Sequence, residues 1–161
     1  MRNIRYIAVH CTATSQKGTS IDQLKAYWNS LGWKKPGYHY VVMPSGKVEQ
    51  LLDENQVSNG VKDFNAYLIN VAYMGGIDSN GKAMDNRTEA QKAALYFLLE
   101  QLKFRYPKAI IQGHRDFSPD RNGDGKISSN EFIKQCPCFN AKEEYRNIGM
   151  VDKIQDEIFL Q

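Results

Sequence analysis

The 161-residue sequence has no stretch near the roughly 18 consecutive apolar residues that a membrane-spanning helix needs, so a soluble product without membrane insertion is expected. Cysteine is scarce. Cys11, Cys136 and Cys138 are an odd number, which argues against a complete disulfide framework and suits a reduced compartment or a metal role. Charge of one sign is nowhere concentrated, and the formal net charge of +3 is spread along the chain, so a nucleic-acid partner is not implied. That small cationic excess would still suit an acidic polymer. The apolar part of the opening M-R-N-I-R-Y-I-A-V-H is broken by Arg5 and reaches His10 too soon for a secretory h-region. No signal peptide is therefore expected, and the chain would be cytoplasmic when made, acting elsewhere only after release or delivery. Internal repeats, low-complexity tracts and linkers are also missing. With 42% hydrophobic and 24% charged residues, the length fits one globular domain spanning 1–161.

The residues that are present divide into alternating strand and helix patterns. Ile4 to Cys11 is rich in β-branched and aromatic residues and reads as a buried strand with His10 near its carboxyl end. Ser20 and Gln23 form a capping-box pattern, followed by Ile21, Leu24, Trp28 and Leu31 at helical spacing up to Gly32. Tyr38 to Met43 and Lys47 to Leu52 flank P-S-G and predict a hairpin, and a polar loop then runs from Asp53 to about Tyr67. Leu68 to Met74, closed by Gly75-Gly76, predicts an inner strand. Thr88 and Gln91 repeat the capping pattern ahead of a Leu95, Leu98, Leu99 and Leu102 stripe that Pro107 ends. Ala109 to Gln112 predicts a strand delivering Gly113-His114, and a short amphipathic helix is expected over 151–160. The order predicts an α/β class with a central mixed sheet flanked by helices; separately, a monomer is expected.

His10 and His114 each end a predicted strand beside turn-prone sequence, where α/β sheets place active sites. His39, within Y-H-Y-V-V, reads as structural, packed under the site or hydrogen-bonded beside it. Cys136-Pro137-Cys138 has too short a spacing for a two-cysteine pincer, so one of the pair is expected to bind metal. Two imidazoles and one thiolate leave the fourth tetrahedral position open, the arrangement of a catalytic rather than a structural zinc. Zinc in such a site lowers the pKa of water toward about 7 and polarises a carbonyl.

Five segments in order carry a resemblance: I-A-V-H-C-T-A-T, G-W-K-K-P-G-Y-H-Y-V-V, V-A-Y-M-G-G-I-D, G-H-R-D and K-Q-C-P-C-F. They resemble the type 2 N-acetylmuramoyl-L-alanine amidases, a family that includes bacteriophage amidase lysozymes and the peptidoglycan recognition proteins. The resemblance implies a peptidoglycan recognition protein-like fold. It implies zinc held by His10, His114 and Cys136, with Cys138 outside the shell. Tyr38 matches a tyrosine whose hydroxyl lies near the zinc water, and Lys134 a lysine that stabilises the oxyanion. The implied reaction is hydrolysis of the amide joining the lactyl group of N-acetylmuramic acid to L-alanine, in peptidoglycan or a muropeptide. Family members that only bind the wall lack the cysteine ligand, so Cys136 favours an enzyme over a noncatalytic module. A thiol hydrolase using Cys11 or Cys138 ranks last, because Cys11 lies in a buried strand. Where the family often has a histidine and a small residue, the chain has Asn59 and Asn70; these departures are expected to affect substrate contacts rather than the metal. Asn65 is a weaker substrate-binding candidate.

A second metal signature stands in D-R-N-G-D-G-K-I-S-S-N-E, from Asp120 to Glu131. It fits the EF-hand calcium loop: Asp120, Asn122 and Asp124 at positions 1, 3 and 5, Gly125 at 6, the Lys126 carbonyl at 7, Ser128 at 9 and Glu131 at 12. A structural calcium there is expected to stiffen the wall that presents Lys134 and Cys136.

Overall fold

A computed structural model describes residues 1–149. The helix expected over 151–160 lies outside the described residues. Two strands are buried along nearly their whole length, β1 (Tyr6–Cys11) and β4 (Leu68–Tyr73), as their mainly apolar runs require of inner parallel strands. They pair in parallel with Tyr6 beside Leu68 and His10 beside Ala72. On the far side of β1 lies β5 (Ile110–Gly113), also parallel, with Val9 beside Gly113. β2 (Tyr40–Val42) runs parallel to β4 and turns back antiparallel into β3 (Val48–Gln50). The sheet among the described residues is therefore mixed, in the order β3-β2-β4-β1-β5. The expected strands are all present; β1 to β4 are shorter than expected, and β5 is displaced by one residue to end at Gly113.

Side-chain alternation divides the sheet's two faces. On one, Ile7, Val9, Ile69, Val71 and Tyr73 meet Leu95, Leu98, Leu99 and Leu102 of α2 (Glu89–Arg105). Each fully buried leucine contributes about 1.5–3 kcal/mol relative to exposure. On the other, Ala72 and Met74 meet Leu24 and Trp28 of α1 (Ile21–Ser30). Both helices start where the capping boxes place them, with Ser20 and Thr88 accepting from the amides of Gln23 and Gln91. Leu31, expected on the apolar stripe of α1, instead closes the helix and is 48% exposed, because its chain turns away at Gly32. Buried Gln91 also donates to the Val42 and Met74 carbonyls, fastening the start of α2 to the ends of β2 and β4.

Arg87 pins the segment after Cys136 to the loop before α2. Its side chain is 2% exposed, donates to Asp85 at 2.9 Å and Glu144 at 2.6 Å, and lies 3.4 Å over the Phe139 ring. Glu144 belongs to α3 (Ala141–Glu144). Hydrogen bonds from Arg87 hold the Glu144 carboxyl below its ordinary range. At Asp85, burial alone would raise the value, but the same guanidinium more than offsets it. Arg87→Met is expected to cost about 2–3 kcal/mol in urea unfolding, less than a fully buried pair because both carboxylates are partly solvated. With depressed carboxylates, the ion-pair stability is present above their ordinary values near 4 and is lost as pH falls through the lowered ones. The difference between wild type and variant should therefore shrink below about pH 4. A cost under 0.5 kcal/mol, or one independent of pH, would remove Arg87 from this role.

Candidate metal centre

The carboxyl ends of the parallel strands β1 and β5 converge on one edge, as α/β sheets arrange their sites. His10 is the fifth residue of β1 and 1% exposed. His114 opens a short 3₁₀ turn, His114–Phe117, directly after β5, and the two ring centroids are 4.8 Å apart. Cys136 arrives from a loop whose carbonyl accepts the Arg115 amide at 2.8 Å, and Pro137 packs where a side chain on Gly113 would stand. His10, His114 and Cys136 thus come within one ligand's reach, with one donor atom of each lying within 4.8 Å of the others. Tetrahedral zinc with nitrogen and sulfur at about 2.0–2.3 Å separates such donors by about 3.5 Å. His10 Nδ1 and Cys136 Sγ stand 3.8 Å apart, so the donor set fits zinc.

Burial is the main reason that both imidazoles lose their ordinary basicity, to about 4 for His10 and about 3 for His114. His10 further opposes a proton on His114, and the Lys134 ammonium opposes protonation of both. Both rings are therefore neutral near pH 7, the form that binds a metal. Tyr38 sits just before β2, its ring 5.1 Å from His10 and edge-on to Trp28 of α1 at 5.5 Å. Its hydroxyl donates to the Cys11 carbonyl at 3.3 Å. Burial pushes its pKa well up, so the hydroxyl keeps its proton.

Beside His114 opens a groove of about 870 Å³, lined by Trp33, Asn59, Lys62, Phe117, Ile133 and Lys134. Asn65 also lines it, but its side-chain oxygen is committed to the Gly60 and Val61 amides, at 3.0 and 2.7 Å. Asn59 lines the groove, with its side-chain amide donating to the Lys35 carbonyl at 2.9 Å. The expectation that Asn70 bears on substrate contacts needs correction. It is fully buried on β4, its Oδ1 2.8 Å from His10 Nε2, because the β1–β4 register places it under the histidine. His39 lies beside the site as expected, hydrogen-bonded to the Asn70 amide at 2.9 Å. Sequence reading missed Ser58 and Arg2. Ser58 bridges Asn70 and His39, and Arg2 donates to the carbonyls of Glu54, Gln56, Asn65 and Leu68, holding the groove-side loop. A lone serine and a terminal arginine carry no local signal for such contacts.

Cys11 and Cys138 lie outside the donor set, with their sulfurs 3.9 Å apart. The hydrogen bond with Cys136, together with burial, pushes the Cys11 thiol up to about 12, and contact with Cys11 raises Cys138 further. Neither offers an accessible thiolate for nucleophilic attack.

The loop from Asp120 to Glu131 closes on itself. Asp120 accepts from the Gly123 and Gly125 amides, both at 2.8 Å, and Asp124 accepts from Lys126 at 2.9 Å. Asn122 accepts from Asp124, and buried Glu131 accepts from the Arg121 and Ser128 amides. Short 3₁₀ turns, His114–Phe117 and Ser129–Glu131, stand where an EF-hand has its two helices.

Residues 1–130 match a family model described as N-acetylmuramoyl-L-alanine amidase. The endolysin of Klebsiella phage KP32 is 33% identical over 146 residues, covering 90% of this chain and 87% of that protein. Among solved structures, the Ph2119 endolysin of a Thermus scotoductus bacteriophage superposes with a TM-score of 0.68 at 24% identity, over 92% of this chain and 86% of its own. The N-acetylmuramoyl-L-alanine amidase LysC of Clostridium intestinale gives 0.69 at 19% identity, covering 91% and 84%.

Proposed function

The chain belongs to the N-acetylmuramoyl-L-alanine amidase family, and on that premise we propose that it hydrolyses the lactyl–L-alanine amide of peptidoglycan or its muropeptides with zinc held by His10, His114 and Cys136. The observation that carries the zinc reading is the convergence of two neutral imidazoles and one cysteine from separate segments beside an open groove. Three protein ligands leave a fourth position for chemistry. A zinc ion bound there supplies Lewis acidity toward the scissile carbonyl and an attacking water. Tyr38, which retains its proton, offers a hydroxyl at the edge of the centre for proton handling. Lys134 presents its ammonium to the groove beside His114, where the amide oxygen would gain negative charge. Trp33 and Phe117 give the sugar and peptide apolar surface to lie against.

Digestion of purified peptidoglycan with and without a zinc chelator tests this reading. New L-alanine amino termini that disappear with chelator and return with added zinc are expected. New reducing sugars without new amino termini would overturn it. The endolysin relatives support action at the cell wall, and among the described residues no helix is long and apolar enough to cross a membrane.

Calcium at the 120–131 loop is the second part of the proposal. It is supported by the EF-hand spacing and by Gly125 at the sharp turn, with φ +80°. The Ser118 hydroxyl accepts the Ile133 amide at 3.0 Å across the loop's base, linking its order to the Lys134–Cys136 wall. Calcium added to zinc-loaded protein should raise the melting temperature by several degrees, as ligand binding to the native state requires. An unchanged melt at millimolar calcium would eliminate the ion.

A further inference from the structure

Beneath His10 runs a buried polar chain made by residues that are far apart in sequence. It comprises Asn70 on β4, Ser58 from the groove-side loop and His39 ahead of β2, all fully buried. Its hydrogen positions follow from two backbone groups. A neutral imidazole carries one N–H. The Asn70 amide donates to His39 Nδ1 at 2.9 Å, so that nitrogen is the lone pair and Nε2 carries the hydrogen, donating to the Gln56 carbonyl at 2.8 Å. Arg2 places a guanidinium 3.4 Å from Nε2, which opposes a second proton on the ring. Ser58 Oγ stands 3.2 Å from the same Nδ1, so its hydroxyl shares that nitrogen's single lone pair with the Asn70 amide. That leaves the serine oxygen to accept from Asn70 Nδ2 at 2.7 Å. With its nitrogen turned to Ser58, Asn70 presents Oδ1 to His10 Nε2 at 2.8 Å.

We infer that Asn70, oriented by Ser58 and His39, is a positioning residue that fixes His10 as the Nε2–H tautomer, leaving its Nδ1 lone pair facing Cys136 and His114. Partners of this kind set which nitrogen of a ligand histidine is free for metal. Gly60 gives the inference independent support. Its backbone shows no positive φ that would demand glycine, yet a Cβ there would stand 2.3 Å from Asn70 Cγ and Oδ1. The loop is thus cut to fit the Asn70 amide, and Asn65 holds that stretch in place through the Gly60 and Val61 amides.

The inference rests on the metal reading for its consequence but not for its first test. Long-range ¹H–¹⁵N spectra of the chelator-treated wild type should show His10 and His39 with protonated Nε2 and bare Nδ1. A hydrogen on His10 Nδ1 would overturn the inference. Zinc affinity, measured by competition with a chromogenic chelator, should fall about 10–100-fold in Asn70→Leu. Asn70→Asp, which keeps an acceptor oxygen, should stay within a few-fold of wild type. Ser58→Ala should fall between the two, because the amide can then turn over. Folded Asn70→Leu with wild-type affinity would overturn the inference. Should that variant not fold, the Ser58→Ala affinity and the wild-type spectrum decide it. Wild type that binds no zinc would defeat the metal reading, while the ring spectrum would still decide the tautomer.

Discussion

Cys136→Ser should leave a folded protein that neither retains zinc through dialysis nor cuts peptidoglycan, with turnover reduced at least about a thousandfold, the several kcal/mol that a catalytic metal supplies. The thiolate is a strong zinc donor, and a serine hydroxyl, neutral at pH 7, is not. The fold should survive because Cys136 is only partly buried and the loop is held by its own carbonyl on the Arg115 amide and by Tyr73 donating to the Pro137 carbonyl at 2.7 Å. Metal content by atomic emission and amino-terminus release from purified wall should fall together. Activity within tenfold of wild type would take Cys136 out of the metal centre.

Lys134→Met separates charge stabilisation from metal binding. Lys134 is exposed on the groove wall, so neither the melting temperature nor zinc content should move measurably. Removing a group aimed at a developing oxyanion costs on the order of 100-fold or more in kcat, with a smaller effect on KM. The methionine keeps the alkyl length that lies against the groove, so the loss would report charge. An unchanged kcat would leave Lys134 a solvated surface residue. Together the two variants distinguish holding the metal from acting beside it, because only the first should lose zinc.

Much of the fold was legible because its determinants are local. Ser20 with Gln23 and Thr88 with Gln91 satisfy helix-end amides within one turn, so the helix starts depend on four residues each. Apart from His10 and Asn70, the runs in β1 and β4 are apolar because both faces are covered, and that pattern is visible without knowing which helix covers which face. Leu31 was misread because helical spacing continues for one residue past the point where the chain leaves the helix. His10 and His114 were legible as candidate ligands at strand ends, and the family resemblance chose Cys136 over Cys138. In the structure the Cys136 sulfur lies 3.8 Å from His10 Nδ1 and the Cys138 sulfur 3.9 Å from that of Cys11.

Asn70 marks the boundary between the two kinds of information. By itself the sequence determined the strands and helices, the α/β class and the three residue types that can hold zinc, since periodicity, capping and strand-end motifs act over a few neighbours. Only the tertiary structure decided what Asn70 does. Its side chain meets His10 because β1 and β4 pair in one register and because the loop carrying Ser58 and Gly60 folds over it. The same holds for Arg87, whose partners lie 2 and 57 residues away. Contacts closed across a sheet or between loops depend on the whole packing, and no local pattern encodes them.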